Sequence, residues 1–167
     1  MDINSLDDFI QKFVNEQQIG KGAYIKRISH DFKKLYTQYP NLTILNNSGK
    51  IEIVVYENCE KYSFVFNNAY PFIQPQIYYN DKPYLELLKL NSPDEKNIVM
   101  KYRRKDCLCC DSYYCSNNWS PALNLNIIID EIKNIVQFKK TMVEILLADK
   151  IKEKYLIDDL DINSYLI

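Results

Sequence analysis

Glycine is scarce in this chain, three residues in 167, which leaves no Gly-rich loop to cradle a phosphate. Histidine and tryptophan each occur once. No block of basic residues stands out, and 21 Lys+Arg against 22 Asp+Glu leave a net charge of −1. Nucleic-acid binding is therefore not expected, because it needs a positive field to release counterions. Apolar runs such as Ile127-Ile128-Ile129 are short, so no membrane span and no membrane partner are expected. Met1-Asp2-Ile3-Asn4 is followed by neither a positive n-region nor an apolar h-region. No secretory signal is read, and the expected compartment is intracellular, cytoplasmic or nuclear. There, the crowding of four of the five cysteines between Cys107 and Cys115 points to thiol or metal chemistry rather than a disulfide framework.

What is present suits one small globular domain with one core. Ser5 with Asp8 resembles a capping box, and Leu6, Phe9, Ile10 and Phe13 share a face, so a short helix is expected from Ser5 to about Gln18. Residues 1–20 are read as an N-terminal helical extension, with the main domain over 21–167. Ile25, Ile28, Phe32 and Leu35 recur at helical spacing, predicting a helix from Ala23 to Tyr36 that Pro40 closes. Four strands follow, at Leu42–Asn46, Ile51–Tyr56, Tyr62–Phe66 and Gln76–Tyr79, with polar turns between them and a turn at Asn80-Asp81-Lys82-Pro83. Short connections predict an antiparallel meander. Tyr84–Asn118 has no clear period. A strong helix begins at the natural N-cap Asn124, with Leu125, Ile128, Ile129, Ile132 and Val136 as its buried stripe, and more helix continues through Met142, Ile145, Leu146 and Ile151. The expected class is α+β, with one sheet face covered by helix.

Three segments then stand in a telling order. They are the helix Ile25-Lys26-Arg27-Ile28 with Phe32 and Leu35, the loop Tyr70-Pro71-Phe72-Ile73-Gln74-Pro75, and Trp119-Ser120-Pro121-Ala122-Leu123 before an Ile-rich helix. Between the last two lies Cys107-Leu108. From about Tyr24 to Val136 the chain resembles the ubiquitin-conjugating enzyme family, as a divergent member. The loop resembles the family's Tyr-Pro-Phe-x-Pro-Pro, with Gln74 in place of the first paired proline. The resemblance implies a UBC-like fold: N-terminal helix, four-stranded antiparallel meander, active-site loop, C-terminal helices. It implies a carrier that takes ubiquitin, or a ubiquitin-like protein, from an activating enzyme as a cysteine thioester and passes it to a ligase or a substrate lysine, with no cofactor. It also implies a ligase-facing patch at Phe72, Ser120, Pro121 and Ala122, with Lys26 and Arg27 close by and serving the activating enzyme as well.

Four cysteines compete for the nucleophile's role, which needs an exposed thiol that readily becomes a thiolate. Cys107 leads, because Leu108 follows it as in the family. Cys109 is second, because Asp111 gives it the family's Cys-x-Asp spacing. Arg103, Arg104 and Lys105 either lower the Cys107 pKa or are a solvated surface run. The family's His-Pro-Asn, whose asparagine steadies the oxyanion, is absent. Asn91 is the nearest equivalent by its place after the fourth strand, and Asn97 is the alternative.

Cys107 and Cys110 form Cys-x-x-Cys, with Cys109 and Cys115 nearby, yet no second Cys-x-x-Cys or histidine pair exists and His30 sits on the first helix, so no metal is expected. Cys59 falls in a predicted turn with no partner. Loss of His-Pro-Asn keeps a second function open, a catalytically inactive variant of the same fold that binds ubiquitin or a partner enzyme. A scaffold domain without ubiquitin chemistry is disfavoured by the joint presence of Tyr-Pro-Phe and Trp-Ser-Pro-Ala. The loop from Cys107 to Asn118, with Tyr113 and Tyr114 at its centre, is expected to pack against the domain.

Overall fold

A computed structural model describes residues 8, 11, 12, 15, 23–115 and 118–155. Helix α1, Ala23–Gln38, buries Ile25, Ile28, Phe32 and Leu35 on one face, as their spacing predicts. His30 is exposed on it. Strands β1 (Leu42–Asn47), β2 (Lys50–Glu57), β3 (Glu60–Val65), β4 (Gln76–Tyr79) and β5 (Lys82–Pro83) follow in one antiparallel sheet, ordered as in the chain. Then come the single turn α2 (Tyr84–Leu87), helix α3 (Pro93–Arg103) and the long helix α4 (Leu125–Tyr155). The architecture is α+β, and no helix among the described residues is long and apolar enough to cross a membrane.

Three of the four strand-to-strand connections are two-residue turns. Their residues are Ser48 and Gly49 (φ 52° and 81°), Asn58 and Cys59 (49° and 64°), and Asn80 and Asp81 (48° and 63°). Positive φ at both central positions gives a turn whose twist matches the flanking strands. Such turns fix register, and register fixes the core: Ile44 pairs with Ile53, Ile53 with Phe64 and Phe64 with Ile77. All four are buried among the stripes of α1 and α4, where Ile128, Ile129 and Ile132 are fully enclosed. The Asn124 side chain accepts from the Asn126 N–H at 3.2 Å and caps α4 as expected.

Three expectations are corrected. The sheet has five strands rather than four, because Lys82 and Pro83 fold back onto Tyr79 and Tyr78 instead of ending the meander in a turn. The region from Tyr84 to Asn118 contains two helical elements where no period was read. Among the described residues the C-terminal helices are one helix of 31 residues, about 46 Å long at about 1.5 Å per residue. Of the expected Ser5–Gln18 helix, Asp8, Gln11, Lys12 and Asn15 are described and helical. The rest of that expectation lies outside the described residues.

Candidate functional site

The site is built outward from α3. Ser92 caps it, accepting from the Glu95 N–H at 3.2 Å, and Pro93 takes the first helical position, where its missing N–H is no loss. The Glu95 carboxylate reaches back to the Asn91 N–H at 2.6 Å. That reciprocal pair fixes the backbone of Asn91 while its side chain stays exposed. At the other end Arg104 takes φ 55° and its N–H meets the Met100 carbonyl at 3.0 Å, which stops the helix and turns the chain into the cysteine loop.

In that loop Leu108 is buried, 1% exposed, and acts as the anchor. Its two neighbours therefore lie toward solvent, and the turn after Cys109 brings Cys110 back to them. The Cys107 sulfur stands 2.9 Å from that of Cys110 and 3.0 Å from that of Cys109, whose S–H it accepts. These contacts from Cys109, then Cys110, lower the Cys107 pKa below the ordinary thiol value. The same contact with Cys107 pushes Cys109 up to about 12 and raises Cys110. Within the trio, then, Cys107 is the thiol that ionises most readily. The main cause is the neighbouring thiols rather than the preceding basic run: Lys105 is paired with Asp111 at 2.8 Å, and Arg103 lies over the Phe138 ring at 4.3 Å.

The loop is held from α4 by Glu131. One carboxylate oxygen accepts from the Ser112 hydroxyl at 2.5 Å and from the Tyr84 hydroxyl, and the other accepts from the Tyr113 N–H at 2.8 Å. The Asn118 amide closes the loop on the carbonyls of Cys110 and Ser112 at 2.9 and 3.0 Å. The Tyr114 ring packs edge-on to Tyr84 at 5.8 Å, while Tyr113 is exposed. Among the described residues the loop packs, as its aromatic bulk suggested.

Asn91, Cys107 and Cys109 line one open groove of about 590 Å³, together with Leu85, Leu88, Leu90, Lys89, Lys96 and Asp106. Asn97 lines a different groove, against Ile145 and Leu146 of α4. Of the two candidate asparagines, only Asn91 shares a surface with the leading cysteines.

The second predicted surface is tied together by four polar links. Trp119, half-buried, donates its indole N–H to the Pro71 carbonyl at 2.8 Å, joining the Tyr70–Pro75 and Trp119–Leu123 loops. Arg27 donates to the Leu123 carbonyl at 2.7 Å and to Asp31 at 2.8 Å. Asp31 is fully buried and also accepts from the Tyr70 hydroxyl. Burial draws the Arg27 pKa down, but the Asp31 hydrogen bond and charge outweigh it and leave it raised. Tyr70 is raised by burial and then by Asp31. Arg27 is thus engaged inside the fold, whereas Lys26 is exposed. Phe72 is 79% exposed, and Ser120, Pro121 and Ala122 are exposed on the adjoining loop.

No family model, curated protein or solved structure matches the chain.

Two parts of the site escaped the sequence reading. Helix α3 had a legible signal in Ser92-Pro93-Asp94-Glu95, a capping box with proline at the first helical position. Glu131 had none. It is one polar residue on an otherwise ordinary amphipathic helix, and its partners lie 18 and 19 residues before it and, at Tyr84, 47 before it.

Proposed function

We propose that the protein is a ubiquitin-conjugating-type carrier, with Cys107 as its nucleophile. The observation that carries the reading is the Cys107 sulfur, held as the preferred thiolate of a three-thiol cluster in a groove that Asn91 also lines. Its thiolate attacks the thioester carbonyl carbon of the modifier on the activating enzyme. The new C–S bond forms as the enzyme's thiol leaves and takes a proton. An acceptor lysine amine then attacks the same carbon, the isopeptide bond forms, and Cys107 leaves as a thiol. Asn91 supplies a side-chain donor to the developing oxyanion. The exposed Phe72 with Ser120, Pro121 and Ala122 forms the ligase-facing surface, a small apolar anchor in a polar surround, and Lys26 extends it. The activating enzyme and the modifier are the other partners.

A charging assay tests this. The full chain, incubated with activating enzyme, ATP and ubiquitin, should yield a band on a non-reducing gel that reductant removes. Cys107→Ala should abolish it, and Cys107→Ser should convert it to an adduct that reductant spares and hydroxide cleaves. Loss in Cys109→Ala alone moves the nucleophile to Cys109. Absence of any adduct leaves the second reading, an inactive module that binds ubiquitin or a partner enzyme, which the missing His-Pro-Asn triplet favours.

A further inference from the structure

We infer that Cys107, Cys109 and Cys110 form a trithiolate site for one zinc(II) ion. All three sulfurs lie within 4.8 Å of one another. A disulfide would use two of them and strand the third, whereas their convergence on a single point suits a shared ion. Around tetrahedral zinc, with bonds of about 2.3 Å, sulfurs stand about 3.8 Å apart. The separations of 2.9 and 3.0 Å therefore have to open by less than about 1 Å. The sequence count of ligand pairs missed this, because it asked for a second Cys-x-x-Cys. Cys109 lies between the two members of the first pair and joins them once Leu108 turns inward.

The site is also prearranged. Leu108, Glu131 through Ser112 and Tyr113, and Asn118 through the Cys110 carbonyl hold the backbone between and just after the sulfurs. Cys109 and Cys110 face solvent, which leaves the fourth coordination position for water or an incoming group. Cys115 lies outside the group of three, and Cys59 is in the distant β2–β3 turn. Binding is balanced without redox chemistry: zinc(II) bonds to the three sulfurs, and each thiol releases its proton.

Zinc held by Cys107 occupies the lone pair that a thioester needs. Metal occupancy and modifier charging are therefore mutually exclusive, a consequence that rests on the carrier reading, while the metal site itself does not.

The test uses the reduced, metal-stripped full chain under anaerobic conditions. Cobalt(II) is the spectroscopic probe, and zinc(II) competes against a chromogenic chelator. One equivalent of cobalt should give thiolate-to-metal charge-transfer absorption that zinc removes. Serine at Cys107, Cys109 or Cys110 should weaken zinc binding about 100-fold or more, with the far-ultraviolet circular dichroism unchanged. Cys115→Ser and Cys59→Ser should bind as the parent does. No charge-transfer band, a band that survives triple serine substitution, equal loss in Cys59→Ser, or binding of copper(I) but not zinc(II) overturns the site. Charging is then assayed with and without zinc. Zinc binding in a chain that never charges keeps the site and ends the carrier reading. Charging without zinc binding does the reverse.

Discussion

The indole nitrogen of Trp119 donates to the Pro71 carbonyl at 2.8 Å. That bond joins two loops 48 residues apart, and the exposed ring of Phe72 stands beside it without taking part in it. Anchor and presented side chain are separate residues, so they should respond differently to mutation. Phe72→Ala should weaken binding of a ligase about tenfold or more and shift stability by less than about 0.5 kcal/mol. Trp119→Phe should lower stability by about 1 kcal/mol or more, since it strands the Pro71 carbonyl. Calorimetric titration and urea unfolding on the same samples decide it. A large stability loss in Phe72→Ala would sink the presented-surface reading.

Arg27→Ala should be among the most damaging single changes on α1. It removes the charge beside fully buried Asp31 and the donor to Leu123 together, a loss of about 3–5 kcal/mol. Replacing Asp31 with Asn in the same chain should recover part of it, because the uncompensated charge is then gone. Urea midpoints of the three variants give the answer, and an Arg27→Ala chain as stable as the parent contradicts the linkage.

Glu131→Gln should loosen the cysteine loop. The carboxylate accepts from two hydroxyls and one N–H, and an amide can neither match its charge nor accept at both ends, so a loss of about 2–3 kcal/mol is expected. Amide exchange at Tyr113 should accelerate more than at the β2 and β3 core. Uniform acceleration would mean that Glu131 supports the whole fold rather than this loop.

Alkaline pH should destabilise the protein through Tyr62 and Tyr70. Burial first, then the carboxylates of Glu60 and Asp31, raise both above the ordinary tyrosine value. Below the unfolded value of about 10 both states keep the proton and the contribution is complete. Above it the unfolded chain loses protons that the folded chain retains, so stability falls as pH rises toward the folded pKa, by up to about 1.4 kcal/mol per pH unit for each ring. Urea midpoints between about pH 8 and 11 should trace the fall, and Tyr70→Phe should flatten it. A midpoint unchanged across that range contradicts the assignment.

Cys59→Gly should stabilise the protein by about 0.5–1 kcal/mol, because cysteine at φ 64° carries a Cβ where glycine has none. Thermal unfolding reads it, and a lowered Tm would show that the side chain makes a compensating contact.

How much of this was legible follows from sequence distance. The stripes of α1 and α4 and four of the strands were readable because each signal lies within a few residues: Ile25 to Leu35, Leu125 to Ile132, the alternation at Tyr62–Phe66. The two-residue strand at Lys82–Pro83 was hidden, since two residues show no alternation. The groove shared by Asn91 and Cys107 was foreseen as a pairing only through the family resemblance. Cys109 joining Cys107 and Cys110 depends on which way Leu108 faces. The Glu131 links depend on where α4 docks. Neither is written in local periodicity.

The strictly sequential sheet has a kinetic consequence. Each strand pairs with its chain neighbour, mostly across two-residue turns, so the meander can zip up hairpin by hairpin with little loop-closure entropy at each step. The cysteine loop has no such local route. Its arrangement waits on Glu131, which arrives only when α4 docks. Thiol proximity should therefore emerge late in refolding, after the sheet, and a fragment ending before Leu125 should carry all five cysteines but not the cluster.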